Sequence, residues 1–272
     1  MTSLFLLIFE EFEDELAAIE ALVDAAADPN LGRPKARVAG ANAAALLLAA
    51  AFEEFIRECA RAYAKASVES CGSYEDLPPK MAPIAWKRTM ENLARVHLNP
   101  KKEIFSRESI FADALTRFTV TYEFCKGDIT QDIYQDLIHN ENSMRPQEIN
   151  TLFNISALGN ACGLASEQEP LLSFFNEINP GKTLIQFVES LDEFFERRNK
   201  VAHSLNLMSS SGPSQIKADI SLLRAFSRAL ALALEIKAPL PPTAPPAPSS
   251  TTRPRVGLRQ RLAEVILGRP IR

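Results

Sequence analysis

The run Arg198-Asn199-Lys200-Val201-Ala202-His203 holds the side chains of this chain best suited to chemistry. A guanidinium presents a planar fork of N–H donors that matches phosphate oxygens. A histidine titrates near neutrality and can give or take a proton at ordinary pH. Asn199 can orient either partner by hydrogen bonding. These types at this spacing point to proton transfer at a phosphate. Glycine-rich phosphate loops and nucleophile elbows are absent from the sequence. Cys59, Cys71, Cys125 and Cys162 form no CxxC pair and stand at no metal-ligand spacing with a histidine. Reduced structural thiols are therefore expected, with no metal and no cofactor.

The segment closes a strongly periodic helix expected over Thr183–His203, whose apolar stripe is Leu184, Phe187, Val188, Leu191 and Phe195. At about 100° per residue, Arg198 falls about 20° from Leu191, on that stripe, and Ala202 falls equally close on the other side. Asn199 and His203 lie on its flank. Glu193, Glu196, Arg197 and Lys200 take the opposite, solvated face, where Arg197 and Lys200 are the candidate substrate-binding cations. An arginine on a core stripe is costly unless it is paired or at an interface. The plain structural alternative is an arginine serving the last carbonyls and the helix dipole, with His203 as a cap. Glu54 and Glu58, one turn apart, are carboxylates that could hold Arg198, although a solvated acidic face is the simpler reading. His97 and His139 read as structural or exposed, and Trp86 as core.

Apolar residues recur at three and four from residue 3 to 237, which predicts an all-α protein. A first helix is expected over about 3–27, with Phe5, Phe9, Phe12, Leu16, Ile19 and Val23 on one side. A long second helix runs from Pro34 to about Ser70, with an alanine-rich middle suited to close packing. Residues 71–82 read as a loop. Further helices are expected at about 83–97, 106–125, 129–139, 146–153, 183–203 and 214–237. The stretch containing Gly159, Gly163 and Pro170 reads as irregular. Residues 1–238 thus form one helical domain. Seven of the seventeen residues from Ala238 to Pro254 are proline, so 239–254 reads as a stiff linker. Beyond it, residues 255–272 carry Leu258, Leu262, Val265 and Ile266 on one helical face beside Arg255, Arg259 and Arg261. That is a short basic amphipathic tail that needs something to dock on.

The net charge is only −4, so binding to nucleic acid must be local rather than bulk. The charge is nevertheless uneven. Residues 1–28 carry eight acids and no Lys or Arg, and residues 239–272 carry six arginines against one glutamate. The N-terminal sequence lacks a basic n-region, and its longest apolar run, Ala43–Phe52, is short for a membrane span. A cytoplasmic protein without membrane contact is expected.

Arg198-Asn199-(x)3-His203 resembles the Rx4-6H motif of the HEPN superfamily, including the polar residue that commonly follows its arginine. Ala41–Glu58 resembles the long apolar helix of HEPN proteins of bacterial defence and toxin systems. The run His139-Asn140-Glu141-Asn142 with Gln147–Leu152 adds a weaker likeness, and the resemblance covers roughly residues 34–237. It implies an antiparallel helical bundle, here with additional helices and a Pro-rich tail. It also implies metal-independent RNA cleavage with Arg198, Asn199 and His203 as catalytic residues. In that chemistry the ribose 2′-OH attacks the adjacent phosphate and leaves a 2′,3′-cyclic phosphate and a 5′-hydroxyl. One histidine per chain does not readily fill both proton roles, and the resemblance implies a homodimer that pools two motifs. Some HEPN toxins carry a tyrosine two residues after the histidine as a modification site. Leu205 stands there instead, so that control is not implied. The competing readings are a non-catalytic HEPN dimer acting as an RNA-binding or protein-interaction scaffold, and an adaptor working through the 255–268 helix. An antitoxin or defence partner could use the same helix.

Overall fold

The computed structural model describes residues 4–30, 32–96, 107–139, 143–203 and 211–240. Among these residues the regular structure is helical and no strand occurs. The elements are α1 (Leu4–Ala27), α2 (Pro34–Glu69), α3 (Met81–Ala94), α4 (Arg107–Cys125), α5 (Tyr134–Leu137), α6 (Pro146–Asn154), α7 (Ala161–Ser166), α8 (Glu169–Phe175), α9 (Pro180–His203) and α10 (Pro213–Lys237). All of them fall within one compact unit, Met1–Pro241. The Pro-rich stretch and the terminal basic segment read from the sequence lie outside the described residues, as do His97, 140–142 and Leu205.

The long helix α2 is the spine. It starts at Pro34, where a missing N–H costs nothing. By length and composition α2 could cross a membrane, but Leu48, Phe52, Phe55 and Ile56 on one side of it are packed in the protein's own core, while Leu46 and Leu47 face outward. Its small residues let α1 approach closely: a Cβ on Gly40 would stand 3.2 Å from the Ala26 Cβ. Phe5, Phe12, Leu16, Ile19 and Val23 of α1 are buried, while Phe9 is only partly so. Phe52 sits at the centre, with ring centroids 6.5 Å from Phe12, 6.3 Å from Phe195 and 6.0 Å from Phe226. Phe226 in turn stacks on Phe187 at 4.1 Å. Full burial of each such side chain contributes about 1.5–3 kcal/mol, so α1, α2, α9 and α10 are locked by one aromatic cluster. Two polar ties from α10 reinforce α1: Arg224 bonds Glu13 at 2.7 Å, and Lys217 bonds Asp24 at 2.5 Å.

α3 and α4 form a second hairpin, joined by buried Thr89 and Thr121 hydroxyls 2.9 Å apart. Trp86, expected in the core, is 38% exposed on this hairpin and meets Phe118 edge-on at 6.1 Å.

Two segments differ from the helix pattern. The expected helix at 129–139 shrinks to the four residues of α5. The Asp128 carboxylate accepts from the Thr130 backbone amide, the Thr130 hydroxyl and the Gln131 side-chain Nε2, which fixes a turn in place of a helix. The stretch read as irregular holds α7 and α8 instead. Asn160 caps α7 by accepting from the Gly163 amide at 3.0 Å. Gly163 is therefore no breaker: a Cβ there would lie 2.1 Å from the capping side chain, and only glycine leaves room.

Candidate active site at the end of α9

α9 begins three residues earlier than the Thr183 start expected from its apolar stripe. The Asn179 side chain accepts from the Gly181 and Lys182 amides at 2.9 and 3.4 Å, and Pro180 opens the helix. Phe187, Leu191, Phe194 and Phe195 are buried. Burial then falls along the last two turns. Arg198 and Asn199 are half-buried, and Ala202 and His203 are exposed. The expected buried edge carrying the whole trio thus gives way to a helix end that leaves the core. Ala202, placed on the stripe by period alone, is at the surface because no element among the described residues covers the final turn.

Within the trio, Arg198 Nη1 donates to Asn199 Oδ1 at 3.1 Å. His203 makes no hydrogen bond or ion pair with a described residue. Arg198 lies close enough to Glu53 of α2 for their charges to interact. Burial pushes the Glu53 carboxyl above its ordinary value, while the Arg198 and Arg57 guanidiniums and the Met144 backbone amide pull it back. Arg198 Nε is buried with no hydrogen-bond partner. The cation is therefore sandwiched between core and surface, with its donors only partly used.

Neither Glu54 nor Glu58 serves this arginine. Both are exposed. Glu54 is engaged by Arg57 at 2.8 Å and by Arg61 at 2.5 Å, and Glu58 stands 3.5 Å from Arg61. Glu53 is the residue that reading from sequence passed over. Its signal was present: Ala49, Glu53, Ile56 and Ala60 share one helical face, and the other three are buried. A second contribution missed from sequence is the segment before α6. Met144 offers its amide to Glu53, and Arg145 Nη1 donates to Asp192 of α9 at 2.7 Å. That segment spans α2 and α9 at the level of the site.

The two flanking cations part company. Arg197, placed by period on the solvated face, is half-buried, and its Nη2 donates to Asp219 of α10 at 2.7 Å. Asp219 also accepts from Gln215 at 3.0 Å. Burial raises the Asp219 carboxyl above its usual value against the pull of Arg197 and Gln215. Lys200 is exposed and makes no ion pair with a described residue. Among the described residues no group of three or more His, Cys, Asp or Glu side chains could hold a metal ion. Cys59 and Cys162 are buried, and burial pushes the Cys162 thiol up to about 12, which makes it inert.

A protein-family model described as RiboL-PSP-HEPN matches residues 10–235. No curated protein and no solved structure matches the chain. The matched span is wider at its start than the sequence resemblance over 34–237, and it takes in most of the acidic α1. It also contains α2 with Glu53 and the whole of α9. A helical bundle, an Arg-Asn-x-x-x-His sequence closing one of its helices, and a family match over most of its length lead to one assignment: the chain belongs to the RiboL-PSP-HEPN family of the HEPN superfamily.

Proposed function

We propose that the protein is a metal-independent endoribonuclease of toxin or anti-phage defence type, working in the cytoplasm as a homodimer. The observation that carries this reading is Arg198. It stands at the rim of the core, bonded to Asn199 and within electrostatic reach of Glu53, little more than a turn before an exposed histidine. Arg197 and Arg61 are committed to the carboxylates of Asp219 and Glu54, whereas Arg198 makes no ion pair with a described residue, which leaves its fork for a phosphate.

In the proposed reaction the His203 imidazole takes the proton of a ribose 2′-OH. The 2′-oxygen attacks phosphorus, the bond from phosphorus to the 5′-oxygen breaks, and the leaving oxygen receives a proton from His203 of the partner subunit. The products are a 2′,3′-cyclic phosphate and a 5′-hydroxyl. The Arg198 fork stabilises the charge that builds on the phosphorane oxygens. Asn199 fixes the guanidinium plane. Lys200, exposed and without an ion pair among the described residues, is assigned to a flanking phosphate. Arg197 is committed to Asp219, and its part in substrate binding is confined to placing α9.

The test is cleavage of labelled RNA by purified protein in EDTA. His203→Ala is expected to lose about 10²–10⁴-fold of the activity. Arg198→Lys should also fall steeply, because an ammonium keeps the charge and loses the fork. DNA, without a 2′-OH, should remain intact. A Mg²⁺ requirement, cutting of DNA, or full activity of His203→Ala each sinks the proposal. The nearness of Arg198 to the Glu53 carboxylate also suits a purely structural arginine, and it favours a second reading, a non-catalytic HEPN dimer that binds RNA or protein. RNA binding without cleavage by the parent protein would select that one.

A further inference from the structure

We infer that the outer face of the α1–α2 hairpin is a docking groove for a cationic amphipathic helix of a partner protein. This stands whether or not the α9 motif cuts RNA. Two adjoining depressions of about 200 and 410 Å³ follow the seam between the helices, and Ile8, Glu11 and Glu58 line both. The floor of the first is apolar, with Phe12 and Phe55 stacked at 4.8 Å beside Ala51. Its rims are acidic, with Glu11 and Glu15 on α1 facing Glu54 and Glu58 on α2. Positions 8, 11 and 15, like 51, 54 and 58, stack on one face of their helix.

The way α1 divides its carboxylates sets this groove apart from a generally acidic surface. Glu13, Glu20 and Asp24 are paired with Arg224 and Lys217 of α10. Glu11 and Glu15 are exposed and make no ion pair with a described residue. On the other wall Arg57 and Arg61 answer Glu54 and Glu58. The rim of the first depression therefore carries uncompensated negative charge on its α1 side above an apolar floor, while the second is mixed, with Arg61 and Lys65 beside Glu11, Glu58 and Asp132. At the open end Leu4 and Leu7 are 56% and 45% exposed, and both line the second depression.

This chemistry selects its occupant. A nucleic acid is repelled by the rim, and an uncharged apolar helix would desolvate carboxylates without pairing them. A helix with leucine-like side chains on one face and arginine or lysine along its flanks satisfies floor and rim together. From Leu4 to Glu15 the seam runs about 17 Å, roughly three helical turns. A helix that short is marginal alone and gains its order on docking.

The experiment uses the full chain and fluorescence anisotropy. The probe is a labelled synthetic peptide of about four turns, with leucines at three–four spacing and arginines on the flanks. The control is a scrambled peptide of the same composition. Saturable binding that weakens but survives at high salt is expected. Glu11→Lys with Glu15→Lys should lower affinity by at least about tenfold. Glu10→Lys with Asp14→Lys makes the same charge change on exposed residues that do not line the groove, and should stay within about twofold. All four positions are at the surface, so circular dichroism should confirm unchanged helix content. Equal binding of the scrambled peptide, or equal loss in both double variants, overturns the groove. Tighter peptide binding when Arg255, Arg259 and Arg261 are changed to glutamate assigns the groove to the chain's own end. Loss of peptide binding as the protein self-associates assigns it to a second copy. Either result overturns the partner helix.

Discussion

Glu53 and Arg198 show how much one helical period decides. Glu53 shares a face with buried Ala49, Ile56 and Ala60, so its carboxyl is carried inward while Glu54 is carried out. That much is legible from spacing. The role of Arg197 is not, because Asp219 lies on the next helix and only tertiary packing brings the two together. The exposure of Ala202 and His203 is likewise invisible to periodicity, which cannot tell where a neighbouring helix stops. Glu53→Gln tests the residue-scale account. Burial raises the Glu53 carboxyl in the folded state, so the fold binds its proton more tightly than the unfolded chain does. The associated stability is fully present below the ordinary value of 4.5 and is lost as pH rises through the folded value. Urea unfolding should therefore show the parent losing ground to Glu53→Gln as pH climbs from 4.5, with the two converging below it. A pH-independent difference would show that Glu53 is ordinarily solvated. If RNA is cut, the same variant should cut about tenfold more slowly or worse, because the field of the Glu53 carboxylate beside Arg198 is lost.

At the scale of elements, caps and turns account for the departures from the apolar pattern. Asn160 makes a helix of a stretch that its glycines seemed to break, and Asp128 makes a turn of one that looked helical. Both are side-chain-to-backbone bonds over two or three residues, which a hydrophobic period does not register. The Asn179-Pro180 start of α9, by contrast, was there to be read as cap and first-turn proline. The contact of α9 with α10 rests on an ion pair whose acid is 7% exposed. Arg197→Ala strands that carboxyl and should cost about 3 kcal/mol, the lower end for breaking a buried pair. Glu193→Ala removes the exposed partner of the same arginine and should change stability by less than about 0.5 kcal/mol. Equal effects of the two substitutions in chemical unfolding would refute the assignment.

Over the whole molecule, the all-α class and the order of the long helices were set by unbroken three–four spacing, and α1, α2, α9 and α10 appear close to where that spacing puts them. The acidity of the first helix has a partial answer within the bundle, in Arg224 and Lys217 of α10. The bundle also finishes its own last helix. The Tyr63 hydroxyl donates to the Lys237 carbonyl at 3.3 Å, and the Ala238 amide donates to Leu234 at 2.7 Å. Residues 241–272 are accordingly expected to be dispensable for the fold. Their deletion should shift the melting temperature by no more than about 2 °C, which corresponds to about 0.5–1 kcal/mol for a chain of this size. A fall of many degrees would mean that the proline-rich segment or the basic end belongs to the core.

Glu53 and Glu54 are consecutive, yet one faces Arg198 and the other lines the outer groove. α2 is thus the common wall of two environments, a single helix thick. Successive residues stand about 100° apart around a helix axis. With Phe52 fixing the helix against Phe12, Phe195 and Phe226, the two faces keep a constant angle to each other, so neighbouring carboxylates on one rigid helix serve separate surroundings.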